Sequence, residues 1–173
     1  MFKIVNRKIN YSEANFIIKE IKQTPNIMGY SLKEWIASEH IMIAEDDNQN
    51  IVGVCLNYDF HENWCKIAAL FVLKDYRGLG LGKSLFYQSY NNAIERGKNI
   101  YTISANPIVL KMMKELDFLT FEKFNHVPNK YKNIFYLHTV KWIINFYRIK
   151  EIFRKKLTFG NSKDFLYGLK IIK

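Results

Sequence analysis

The chain has 173 residues, 49% of them apolar and 16% aromatic, which is enough for one domain with a substantial core. No run approaches the ~18 consecutive apolar residues of a membrane span, and the opening MFKIVNRKIN lacks the apolar heart of a signal peptide, so the expectation is a cytoplasmic protein with no membrane span. The formal net charge of +10 invites an anionic partner, but it is carried mostly by Lys in an Ile- and Asn-rich chain. No basic segment interleaves Arg with aromatics as a nucleic-acid platform does, which makes nucleic acid a disfavoured partner.

In chain order, Phe2–Val5 reads as a short strand. Tyr11–Gln23 carries Ala14, Ile17, Ile18 and Ile21 at helical spacing, with Ser12 as candidate N-cap, and Thr24-Pro25-Asn26 stops it. The loop Asn26-Ile27-Met28-Gly29-Tyr30 is either a plain connector or the lining of a substrate mouth. A second short helix, Ser31–Ser38, turns Leu32, Trp35 and Ile36 inward. His40–Glu45 and Ile51–Phe60 form a hairpin across the polar turn Asp46–Asn50. After His61-Glu62-Asn63, Trp64–Leu73 is a strand whose continuous apolar stretch, Ile67–Val72, implies burial on both faces.

Next comes Leu70–Leu85, LFVLKDYRGLGLGKSL, around which the chain is organised. Gly78, Gly80 and Gly82 leave backbone amides uncovered, and a helix over Leu81–Arg96 begins among them. A strand, a bare-amide loop and a helix N-terminus make a cradle for a phosphate or pyrophosphate. Gly97 closes the helix and Ile100–Ser104 is a strand, so a right-handed parallel crossover is implied. Asn106-Pro107 precedes a helix over Val109–Leu116, followed by a strand over Phe118–Phe124 and a loop over Val127–Lys132. A long helix, Tyr136–Lys156, follows, with a narrow polar stripe of Lys141, Asn145 and Arg148 and apolar residues round most of the rest. The helix reads as a lid or wall over an acceptor site, a dimer or partner surface, or a basic amphipathic helix on a membrane, with burial against the sheet or a second subunit the expected use. A turn at Gly160-Asn161-Ser162 and a last strand, Phe165–Ile172, complete the chain. Cys55 and Cys65 lie in strand-like runs, form no CxxC pair, and read as small core residues; no metal set is apparent.

Two familiar phosphate loops fail at this cradle. A Walker A loop needs glycine where Arg77 stands, and the third glycine of GxGxxG falls on Lys83 or Leu85. The pattern that fits is Arg-x-x-Gly-x-Gly, and here the chain resembles the GNAT superfamily of acyl-CoA-dependent N-acetyltransferases. The resemblance rests on Leu70-Phe71-Val72 followed by Tyr76-Arg77-Gly78-Leu79-Gly80-Leu81-Gly82, and further on by Asn106 and Phe118. Met113 stands where the family commonly has Tyr, Asp117 where it has Gly, and Lys66-Ile67-Ala68-Ala69 supplies no acid where many members carry Glu.

The resemblance implies an α/β (α+β) GNAT fold: a mixed sheet of about six or seven strands flanked by helices, with an extra C-terminal helix before the last strand. It also implies a single domain over 1–173, with a core over 1–124 and an appended 125–173. Acetyl-CoA, or another acyl-CoA, would be attacked directly by a primary amine on a small molecule or a protein. Amides of Arg77, Gly78, Leu79, Gly80, Leu81, Gly82, Lys83 and Ser84 would hold the pyrophosphate, with added charge from Lys83, and backbone groups of Phe71, Val72 and Leu73 the pantetheine arm. The Val72 amide would polarise the thioester carbonyl. Asn106 either contacts the cofactor or caps the next helix. For the proton of the amine, Asp59, His61 and Glu62 at the preceding hairpin are the nearest candidates. Other readings are an acyl-CoA-binding protein with little catalysis and a basic transferase acting on aminoacyl-tRNA; a homodimer through the C-terminal helix is a further expectation.

Overall fold

The computed structural model describes residues 2–25, 29–160 and 165–172. In order, the elements are β1 (Lys3–Asn6), α1 (Tyr11–Lys22), α2 (Leu32–Ala37), β2 (His40–Glu45), β3 (Ile51–His61), β4 (Trp64–Val72), α3 (Leu81–Glu95), β5 (Asn99–Ser104), α4 (Pro107–Glu115), β6 (Leu119–Phe121), α5 (Asn129–Ile143), α6 (Phe146–Phe159) and β7 (Leu166–Lys170). The seven strands form one sheet in the order β1-β2-β3-β4-β5-β7-β6. Neighbours are antiparallel except β4 and β5, which run parallel with α3 as their crossover. This is the mixed α/β sheet the sequence implies.

Strand alternation sends the two faces of the sheet to different cores. Met42, Ala44 and Cys55 pack with Leu85, Phe86 and Met113 under α3 and α4. Ile41, Ile43, Val54 and Leu56 pack with Ile17, Ile21 and Trp35 under α1 and α2. Both cysteines are buried, and burial pushes their thiols up to about 12, which leaves them protonated and inert.

The α1 cap differs from expectation. Asn10, not Ser12, is the N-cap: its Oδ1 accepts from the Glu13 amide at 2.9 Å while Glu13 accepts from the Asn10 amide at 2.8 Å. The capping-box acid is thus Glu13, two positions before the place implied by Ser12, and the Ser12 hydroxyl donates to Asn10 Oδ1 instead. The strand expected to reach Phe124 stops at Phe121, and α5 begins at Asn129, inside the expected loop.

Gly168 lets α4 lie down on β7. A Cβ there would run into the end of Met113 and come within 3.2 Å of Phe118 and Thr102. Because Met113 is itself fully buried, Gly168→Val should cost about 1–3 kcal/mol, read as a lower urea midpoint with an unchanged slope.

The tail departs most from the sequence reading. The single helix expected over Tyr136–Lys156 is two helices, broken at Ile144-Asn145, where Asn145 leaves the helical region and its carbonyl starts α6. Arg148, expected on the narrow polar stripe, is buried, whereas the apolar Phe146, Phe153 and Leu157 are exposed. The reason lies in what α6 packs on. Arg148 pairs with Glu34 of α2 and stacks over the Tyr30 ring at 4.5 Å. Arg154 holds Glu151 at 2.9 Å and donates to the Lys22 carbonyl at 3.0 Å. The turn expected at Gly160-Asn161-Ser162 and the loop positions Asn26, Ile27 and Met28 lie wholly or partly outside the described residues.

Candidate active site

The site begins where β4 and β5 part. Their parallel pairing runs from Trp64↔Asn99 to Ile67↔Thr102 and ends there; the Thr102 hydroxyl donates to the Ile67 carbonyl at 3.0 Å at that last rung. Beyond it β5 continues against β7, from Ile100↔Lys170 to Ser104↔Leu166. Residues Ala68–Val72 therefore keep one strand edge open, and a cleft of about 580 Å³ fills the gap between it and Ile103, Ser104 and Asn106.

Which backbone groups face this cleft follows from alternation. The Leu73 amide donates to the Val52 carbonyl at 2.9 Å across β3. Phe71 and Leu73 thus turn their main-chain groups to β3, and Leu70 and Val72 turn theirs to the open edge. Of the three residues expected to supply backbone groups to a ligand, only Val72 is placed to do so, and Leu70 joins it. Arg77 Nε takes the Val72 carbonyl at 3.0 Å, which leaves the Val72 amide on the cleft side.

The cradle closes the far end. Gly78 and Gly80 have φ of +83° and +78°, a region that excludes ordinary side chains from a relaxed loop. The first helical bond of α3 runs from the Ser84 amide to the Gly80 carbonyl at 3.0 Å. The amides of Leu81, Gly82 and Lys83 thus have no helical acceptor and sit at the positive end of a 15-residue helix. These residues fit a pyrophosphate. Gly78, Gly80, Leu81, Gly82 and Lys83 line the cleft, whereas Leu79 and Ser84 do not, and the Ser84 amide is already used. Arg77 is a brace: its amide bonds the Lys74 carbonyl and its side chain the Val72 carbonyl. The Lys83 ammonium reaches Glu115 of α4 at 3.2 Å, which holds its pKa above the ordinary lysine value. Asn106 caps α4, its Oδ1 accepting from the Ile108 amide at 2.9 Å.

Neither Asp59 nor Glu62 is brought to the cleft. Asp59 sits opposite Cys65 and does not line the cleft, whereas Lys66, the next residue along β4, does. Asp59 accepts from Arg96 at 2.7 Å and lies 3.5 Å from Lys98. Burial works to raise its carboxyl, but the two cations outweigh burial and hold it below the ordinary range. Glu62 is at the turn of the β3–β4 hairpin, where Lys98 takes its carbonyl.

In their place the structure brings up a group that the sequence reading passed over. Lys66 lines the base of the cleft with 4% of its surface exposed. Burial, reinforced by Arg148 and opposed by Glu34, lowers its ammonium pKa to about 7. Its Nζ lies 3.4 Å from His138 Nε2, which is also 3.4 Å from the Tyr58 hydroxyl, and 5.4 Å from the Tyr101 ring centre. Tyr30 lines the same end, and burial raises its phenol to about 12. The signal for Lys66 was its place in the stretch where an acid was sought; His138 comes from 72 residues away and had none.

A seven-stranded mixed sheet whose one parallel pair parts into a cleft that leads to a glycine loop and a helix N-terminus defines the class of fold. The acetyltransferase (GNAT) family model matches residues 12–118, and the chain belongs to that family. Solved structures agree in fold. One is N-acetylglutamate synthase from Neisseria gonorrhoeae complexed with coenzyme A and N-acetyl-glutamate, at TM-score 0.63 and 16% identity over 99% of this chain, which spans only 36% of that longer one. Another is Rv2747 from Mycobacterium tuberculosis in complex with CoA and NLQ, at 0.66 and 14%, covering 98% of this chain and 99% of that one. A GNAT acetyltransferase from Staphylococcus aureus matches at 0.57 and 16%, with 98% and 99% covered. No curated protein sequence gives a significant match.

Proposed function

We propose that this protein transfers an acetyl, or another acyl, group from acyl-CoA to a primary amine, by direct attack while both are bound. The observation that carries the proposal is the parting of β4 from β5 above Ile67, directly continuous with the amides of Leu81–Lys83. The cradle takes the pyrophosphate, and the open edge at Leu70 and Val72 pairs with the pantetheine arm. The Val72 amide donates to the thioester carbonyl as negative charge develops there. The amine nitrogen bonds to the carbonyl carbon as the carbon–sulfur bond breaks, and CoA leaves as the thiolate. The proton released by the nitrogen passes along a chain of waters in the cleft to the neutral Lys66 amine, six residues before Val72 on the same strand and a base matched to neutral pH.

Met113 is buried against Gly168 and supplies no acid to the thiolate, which is tolerable for a leaving group of thiol acidity. The same observation favours the second reading, acyl-CoA binding with little turnover. A panel of amino acids, polyamines and peptides, assayed by free-thiol release from acetyl-CoA, separates the two. Amine-dependent release supports transfer; CoA binding with no release across the panel assigns the chain to the second reading. The donor suits the cytoplasmic location expected from the sequence.

A further inference from the structure

Helix α6 is built inside out. Its charged residues Arg148, Glu151 and Lys155 are buried, while Phe146, Phe153 and Leu157 are 82%, 65% and 88% exposed. With Ile149 they recur at 146, 149, 153 and 157, one stripe of a helix. Placing phenyl rings in water and guanidinium inside reverses the usual preference. Each exposed side chain leaves about 1.5–3 kcal/mol of burial unrealised. The neighbouring Tyr136, Leu137 and Ile144 are exposed as well. So large an apolar face needs a cover.

Charge identifies the cover. Residues 129–160 hold eight Lys and Arg (130, 132, 141, 148, 150, 154, 155 and 156) against one acid, Glu151, and so carry +7 of the chain's +10. Exposed Lys150 and Lys156 flank the stripe on either side, and Glu151 is already held by Arg154 at 2.9 Å. A second copy of this face would set Lys150 and Lys156 against the same two lysines, with no exposed acid on α6 to answer them. An anionic lipid surface answers both features: the rings and Leu157 enter the acyl boundary, and the lysines reach up to the phosphates. Among the described residues no helix is long and apolar enough to cross a membrane, so the contact is peripheral.

We propose that the outward face of α6, Phe146, Ile149, Phe153 and Leu157 with Lys150 and Lys156 at its margins, docks on an anionic lipid bilayer. The test is co-sedimentation of the full chain with vesicles of phosphatidylcholine alone or mixed with phosphatidylglycerol, across a salt series. Binding to the anionic vesicles that weakens with salt is the expected result, with roughly tenfold or greater loss in Phe153→Glu/Leu157→Glu and a smaller loss in Lys150→Glu/Lys156→Glu. An unchanged melting temperature and CoA affinity in these variants show that the fold and the cradle survive, so a failure here is distinct from a failure of the transferase reading. Absence of vesicle binding, equal binding by the Phe153/Leu157 variant, or a wild-type dimer that this variant dissociates would each overturn the proposal, the last by assigning the stripe to a second copy.

Discussion

Gly80→Glu is expected to lower CoA affinity by ~100-fold or more with the fold retained. A Cβ at Gly80 meets nothing within 4 Å, so the substitution does not collide with the protein. It does force an ordinary residue to φ +78°, a strain of ~1–2 kcal/mol. The decisive effect is electrostatic: a carboxylate placed beside the amides of Leu81–Lys83 repels the pyrophosphate and takes the donors meant for it. Gly97→Glu is the matched control. Its φ is +69°, its Cβ position is equally open, and it sits at the other end of α3. Both variants should lose similar stability by thermal melting, and only the first should lose CoA in calorimetry. Equal losses of CoA binding would mean that strain, not the cradle, is responsible.

Lys66→Met should lower kcat by ~10²–10⁴-fold, the usual worth of a positioned base, without changing CoA affinity. In the wild type kcat should rise with pH through about 7 as the Lys66 ammonium gives up its proton; the variant should lack that limb. Lys66→Arg keeps a cation in place but cannot accept a proton, and should be equally slow. Stability moves the other way. Between about 7 and the ~10.4 of a free lysine, the unfolded chain holds the Lys66 proton and the folded chain does not. Protons therefore favour unfolding, and wild-type stability gains from this group as pH rises across that window. Below pH 7 the penalty of burying the ammonium is present in full, so Lys66→Met should melt higher than wild type there and converge with it towards pH 10. A slow variant whose pH profile keeps its limb would show that Lys66 positions the amine rather than taking its proton.

The sequence disclosed what is local and left out what depends on long-range packing. Arg77-Gly78-Leu79-Gly80-Leu81-Gly82 could be read because the positive φ values, the bare amides and the helix start all lie within one short stretch. The strand ladder to β5 could be read for the same reason, each strand having its turn residues beside it. The proton-handling end could not. Asp59 and Glu62 are close to β4 in sequence, but Asp59 is held by Arg96 and Lys98, Glu62 lies in the β3–β4 turn, and neither lines the cleft. Lys66 meets His138 only because α5 folds back over the sheet, a contact without a sequence signature. The tail misled for a further reason: in α6 the apolar periodicity is real and points outward, with Arg148 drawn inside by Glu34 and Tyr30.

The most direct test of the cradle is an amide-resolved NMR titration of the wild-type protein with CoA. Saturating shifts concentrated at Gly78–Lys83 and at Leu70 and Val72, with Asp59 and Glu62 unmoved, are the predicted result. Shifts confined to other surfaces, or none at a CoA concentration well above that of the protein, would contradict the assignment of this strand, loop and helix as an acyl-CoA site.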